Sequence, residues 1–149
     1  MLESASDGCV RSMPERVLFD LNVILDVIEA RSPHLLYSGP ALEKAYQRKI
    51  QGVVSASSID TLAFLLQRKL SAQRARRVIK DLLEFFKVAS VSEQTIHRAL
   101  DLKMKNLEDA IVYQAALDDG CDCLVTRNLR DFPSSGAKIK IIAPSAMGS

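Results

Sequence analysis

The sequence predicts an α/β protein of three layers, a central parallel sheet of four to five strands between helices. Short apolar runs alternate with longer segments of helical periodicity, the pattern of βαβ units with crossover helices on both faces of a sheet. The runs are nearly continuous in apolar character, as suits strands buried on both sides. The first of them, Val17-Leu18-Phe19, ends in Asp20, and open α/β sheets bind ligands at the carboxyl ends of their strands.

Taken in order, Val23, Ile24, Val27 and Ile28 repeat at helical spacing, and Arg31-Ser32-Pro33 ends that helix because proline restricts the residue before it. A loop around Ser38-Gly39-Pro40 is expected to start a second helix through Leu42, Ala45 and Tyr46, which Gly52 stops. Val53-Val54 is the second strand. Ser55, Ser57 and Ser58 cap a third helix whose apolar face is Ile59, Leu62, Ala63 and Leu66. The strongest periodicity follows, with Ala75, Val78, Ile79, Leu82, Leu83 and Phe86 on one helical face. Val88-Ala89-Ser90-Val91 is a third strand, and Ser92 with Glu93 opens a helix through Ile96, Ala99 and Leu100. A further helix runs from Leu107 through Ala110, Ile111 and Ala115 to Gly120. Leu124-Val125-Thr126 and Lys138-Ile139-Lys140-Ile141-Ile142 are the last strands.

A chain of 149 residues with 48% hydrophobic and 26% charged content has room for one domain with a sizeable core. The expected division is a disordered leader over residues 1–12 with Met13 as a natural start, a single domain over 13–145 and a tail over 146–149. No apolar run approaches the roughly 18 residues of a membrane span, and the leader lacks the apolar core of a secretory signal. A cytoplasmic protein without membrane contact is expected. A net charge of +2 is too small to announce a nucleic-acid binder, so such a role must rest on local clusters. The Arg68, Lys69, Arg74, Arg76, Arg77, Lys80 cluster reads either as a solvated helix face or as a surface for RNA or an acidic partner. Three cysteines give no disulfide framework. Cys121 and Cys123 sit at a strand entrance and read as packing, because no second pair completes a tetrahedral site.

Only His34 and His97 are available for histidine acid–base chemistry, and they share no motif. Carboxylates are therefore the candidates, and hard cations such as Mg²⁺ and Mn²⁺ take oxygen ligands beside a substrate phosphate. Glu108 and Asp109 stand in a first helical turn, where acids also serve simply to meet the helix dipole. Asp26 reads as solvated or paired with Arg31.

The block Asp20-Leu21-Asn22-Val23 resembles the opening of two families, the PIN-domain nucleases and the haloacid-dehalogenase phosphatases. The phosphatases need an acid and a glycine where this chain has Asn22 and Val23, so the PIN resemblance is carried forward. Glu108-Asp109-Ala110 followed by a helix, Gly120, a strand and Thr126-Arg127-Asn128-Leu129-Arg130-Asp131-Phe132 is similar to the C-terminal half of the PIN family, including its VapC-type toxins. The resemblance spans Val17 to Pro144 and implies the strand order 3-2-1-4-5. It implies Asp20, Asp109 and Asp131 as ligands of Mg²⁺ or Mn²⁺, with Asn128 as a neutral ligand or positioner of water in the catalytic set. Asn22, Thr61, Thr126 and Arg127 are the expected substrate contacts. Many PIN members carry a Glu where this chain has Thr61, and Asp60 next to it points about 100° away around the helix. The implied function is metal-dependent endoribonuclease cleavage of RNA, typically as a toxin, with an antitoxin protein and a homodimer as candidate partners. The rival reading is a PIN-fold module that binds RNA or protein without cutting, and a phosphatase is a distant third.

Overall fold

In the computed structural model, which describes residues 14–134 and 137–148, the apolar runs form β1 (Arg16–Phe19), β2 (Gln51–Ser55), β3 (Phe86–Ala89), β4 (Cys123–Val125) and β5 (Lys140–Ile142). They make one parallel sheet in the order β3-β2-β1-β4-β5, as the resemblance implied. Helices α1 (Leu21–Ile28), α2 (Leu35–Tyr46), α3 (Ala56–Lys69), α4 (Ala72–Leu82), α5 (Glu93–Leu100) and α6 (Leu107–Asp118) connect the strands. The expected leader and the start at Met13 lie outside the described residues.

Side chains alternate across a strand, so Val17 and Phe19 face one side of the sheet and Leu18 the other. The first side is covered by α1 to α4 through Val23, Leu42, Leu62 and Leu82; the second by α6, where Leu18, Val53 and Leu124 meet Val112, Tyr113 and Ala116, with α5 packed on α6. β1 lies at the centre of the order, and Val17, Leu18 and Phe19 are wholly buried. At β2, a Cβ on Gly52 would come within 2.6 Å of the Phe86 ring and 3.0 Å of the Ala45 Cβ, so only glycine lets α2 and Phe86 close over the sheet.

Caps start the helices where the sequence places small polar residues. Ser55 accepts from the Ser57 N–H, Ser71 from Arg74, and Ser92 with Thr95 forms a reciprocal capping box. Gly120, at φ +76°, follows α6 and supplies the left-handed turn into β4. Cys121 and Cys123 are buried free thiols, in keeping with a packing role.

Four local expectations are corrected. α2 begins at Leu35 and carries Pro40 inside it, because Ser38, Ala41, Leu42 and Ala45 are buried and hold the early turns in place. α4 ends at Leu82, and Phe86 belongs to β3, where its ring meets Phe19 edge-on at 5.6 Å. Its position matched the helical row by phase alone. α5 buries Thr95 and Ala99 and leaves Ile96 and Leu100 exposed, since Thr95 donates its hydroxyl to Asp118 at 2.8 Å. β5 starts at Lys140 because the Lys138 N–H is drawn off to the Tyr113 hydroxyl at 3.1 Å. Beyond β5, Pro144–Met147 makes a 3₁₀ turn, and Lys44 holds the Met147 carbonyl at 2.9 Å.

Candidate active site

Three helices, α1, α3 and α6, begin at the carboxyl edge of the sheet, and their first turns enclose one open cleft of about 230 Å³. Asp20, Asn22, Ser57, Ser58, Thr61, Asn106, Glu108, Asp109 and Asn128 supply its polar lining, and no Lys, Arg or His side chain joins them. Helix N-termini favour negative charge, which makes this a tolerable place to gather acids.

Asp20 is delivered by β1 and is only 8% exposed. It is also the N-cap of α1, accepting the Leu21 N–H at 2.9 Å. Thr126, 106 residues away in sequence, donates its buried hydroxyl to the other carboxylate oxygen at 2.8 Å. The same Thr126 oxygen accepts the Asn128 N–H at 3.0 Å, so one hydroxyl ties the β4 loop to the acid of β1. Burial pushes the Asp20 carboxyl up from its ordinary pKa, against the hydrogen bonds from Thr126 and Leu21 that lower it, while Asp131 adds a raising repulsion.

Asp109 sits in the first turn of α6, where its N–H is capped by the Asn106 side chain at 2.9 Å. Its carboxyl is pushed up to about 6, by burial first and then by repulsion from Asp20, Asp131 and Glu108. Asn22 donates weakly to Asp20 at 3.4 Å, and its own Oδ1 is buried without a partner among the described residues. Buried acceptors are rarely left unpaired, so a cation or a water donor fits there.

The structure thus brings Asp20, Asn22, Thr61, Asp109 and Asn128 together in one cleft, with Thr126 directly behind Asp20. Thr61 faces the cleft, while Asp60 is exposed outside its lining. Asp131 is the third metal ligand that the resemblance implies. It is exposed on the 3₁₀ turn Leu129–Asp131 and outside the cleft lining, although its charge is felt at both other acids. Among the described residues no three acidic, His or Cys side chains close on one point.

Arg127, expected to contact substrate phosphate, turns the other way. Its guanidinium bonds Asp26 at 2.7 and 3.2 Å, and the Ser38 hydroxyl donates to Asp26 at 2.8 Å. Asp26 is fully buried rather than solvated, and Arg31 pairs with Glu29 instead. Asn106 lines the cleft although no motif singles it out, and Ser57 and Ser58, expected as helix caps, line it as well. The Asn106 cap three residues before Asp109 was the available signal.

Ribonuclease VapC1 of Aquifex aeolicus is 26% identical to this chain over 130 residues, spanning 84% of this chain and 89% of its own length. Among solved structures, a toxin-antitoxin complex from Klebsiella pneumoniae matches with a TM-score of 0.66 at 24% identity, covering 86% of this chain and 97% of that one. DNA-bound VapBC from Salmonella typhimurium matches at 0.66 and 16% identity over 87% and 98%. VapC20 of Mycobacterium tuberculosis, a sarcin-ricin loop cleaving toxin, matches at 0.54 and 14% identity over 89% and 95%. These structural likenesses establish the fold. Since the family model for the PIN domain matches residues 16–130, from the start of β1 into the turn beyond β4, the chain belongs to the PIN domain family.

Proposed function

We propose that this PIN domain is a metal-dependent endoribonuclease that hydrolyses phosphodiester bonds in single-stranded RNA and serves as the toxin of a toxin–antitoxin pair. The observation that carries the chemistry is a cleft in which the carboxylates of Asp20 and Asp109 repel one another with no cationic side chain in the lining. The toxin role draws on the similarity to Ribonuclease VapC1 and to the toxin–antitoxin complexes. A cytoplasmic location, an antitoxin partner and a homodimer are proposed on the same similarity. No helix among the described residues is long and apolar enough to cross a membrane.

The residues present fit a hard divalent ion. Two carboxylates, the unpartnered Asn22 Oδ1 and the neutral oxygens of Asn128 and Thr61 are the ligand chemistry that Mg²⁺ or Mn²⁺ takes beside a phosphate. Asp20 and Asp109 would hold it, with Asp131 contributing negative field from the lip. When bound, such an ion supplies Lewis-acid stabilisation of the phosphoryl oxygens and lowers the pKa of an attacking water.

The chain's own residues set the geometry. Thr126 and the Leu21 N–H fix the Asp20 carboxylate in rotation, which preorganises it before substrate arrives. Asn128 is anchored through its backbone to Thr126, so its side chain enters the cleft from a loop fastened to β1. Asp109 takes up a proton as pH falls through about 6 in the metal-free cleft. Activity that needs both acids ionised declines on that acid side. The products expected are a 5′ phosphate and a 3′ hydroxyl.

A second reading, a PIN-fold module that binds RNA or protein and cuts slowly or not at all, is favoured by Thr61 in the cleft and by Asp131 outside it. Incubating the chain with a panel of single-stranded RNAs, with Mn²⁺ or Mg²⁺ and with chelator, separates the two. Cleavage that chelator stops supports the nuclease. Metal-independent cutting, or none at all, rejects it.

A further inference from the structure

We propose that the groove beside the catalytic cleft is a subsite for RNA phosphates, gripping the strand to one side of the scissile bond through Lys103, Lys105 and Arg130. This rests on the ribonuclease reading above and deepens it. Lys103 and Lys105 lie on the loop between α5 and α6, and Arg130 lies on the 3₁₀ turn after β4. Together with Met104 and Pro133 they line a groove of about 490 Å³.

Two residues connect this groove to the chemistry. Asn106 lines both the cleft and the groove, and Asp131 borders the groove while its charge reaches Asp20 and Asp109. The two spaces carry opposite charge. The cleft has Asp20, Glu108 and Asp109 and no cation, whereas the groove has three cations against the single acid Asp131.

Those cations are free to act. Lys103, Lys105 and Arg130 are exposed and form no ion pair with another described residue, which they share with other surface cations of the chain; what sets them apart is their place beside the cleft. A nucleic-acid strand places a phosphate at every nucleotide, so a strand with one phosphate at the acidic cleft must set its neighbours somewhere close by. Unpaired cations adjoining the cleft bind those neighbours and release counterions. Met104 and Pro133 are half-buried, line the groove with the buried Phe132 and offer apolar surface to a ribose or base face. A positively charged groove that tracks the backbone holds single strands with little sequence preference. An acidic polypeptide would meet the same cations, but it would have no reason to continue into a cleft built around acids.

The test uses the full chain carrying Asp109→Asn, which removes cutting, and reads fluorescence anisotropy of a labelled single-stranded RNA over a salt series. Adding Lys103→Gln and Lys105→Gln is expected to weaken binding about tenfold at low salt, as two exposed ion pairs would. The slope of log K against log salt should become shallower by about 1.4 for the two lost contacts. Lys103→Arg with Lys105→Arg should restore both. In the active chain the same Gln pair should raise KM far more than it lowers kcat. Unchanged affinity and slope would overturn the subsite. So would loss of labelled polyglutamate binding with RNA binding intact, which would make the groove a surface for an acidic protein. If the wild-type chain binds RNA through these lysines yet never cuts it with Mn²⁺, the ribonuclease reading falls and the phosphate subsite stands.

Discussion

Replacing Asp109 by Asn should make the metal-free protein more stable at neutral and higher pH, although it removes a proposed metal ligand. An acid whose pKa is raised on folding holds its proton better folded than unfolded. Its favourable contribution is complete below the unfolded value of 3.8 and is lost as pH rises through about 6. Above that window the wild-type chain carries an ionised Asp109 crowded by Asp20, Asp131 and Glu108. The shift of about two units would correspond to about 3 kcal/mol at face value. Solvent in the open cleft screens much of it, leaving about 1.5 kcal/mol, and the lost attraction of a first-turn carboxylate to the helix dipole takes back about 0.5 kcal/mol. The net gain of about 1 kcal/mol corresponds to a Tm increase of about 3 °C for a domain of this size. The assay is urea unfolding with chelator present at about pH 8 and about pH 4.5, with the difference between variant and wild type shrinking toward the acid end. Adding Mn²⁺ should reverse the order, because a ligand that binds only the folded state stabilises the chain that retains the carboxylate. A variant less stable than wild type at the higher pH, or a difference that does not change with pH, would refute the electrostatic account of the cleft.

Asp20→Asn should also abolish RNA cleavage, but it should lower stability by about 1 kcal/mol, because its carboxylate is an internal acceptor for Thr126 and Leu21; a chemical melt beside an RNA cleavage assay reads both effects. Asp131→Asn should reduce cleavage less than either of the other two, since Asp131 stands outside the lining, and an equal loss would show that the turn swings inward in the working enzyme. Thr61→Glu should tighten Mn²⁺ binding in titration calorimetry by adding a ligand charge to the cleft; unchanged or weaker binding would turn attention to Asp60. Arg127→Ala should destabilise the fold by about 3 kcal/mol by stranding the buried Asp26, with Asp26→Asn in the same chain recovering part of the loss, and additive effects would deny the coupling.

The sheet, its helices and Asp20 were legible in the sequence because buried parallel strands must be apolar along their length, and a strand that ends in an acid announces its own edge. The resemblance carried the strand order. Asp109 came from the resemblance, because an acid in a first helical turn also serves the helix dipole, although the Asn106 cap three residues before it was there to read. Local pattern failed where a distant contact outweighed it. Ser38-Gly39-Pro40 reads as a loop until the buried Ser38, bonded to Asp26 of α1, holds it helical, and Phe86 continues a helical row until Phe19 claims it for the sheet. Arg127 and Asp26 lie 101 residues apart, so no spacing rule could show that the guanidinium is occupied inside the fold rather than offered to phosphate. The position of Asp131 outside the cleft is likewise a matter of how one short turn leaves β4. Periodicity records which residues must avoid water. Which buried charge meets which partner, and which acid faces the cleft, is decided only when the folded chain sets separate segments at hydrogen-bonding distance, where an unpaired group would be too costly to bury.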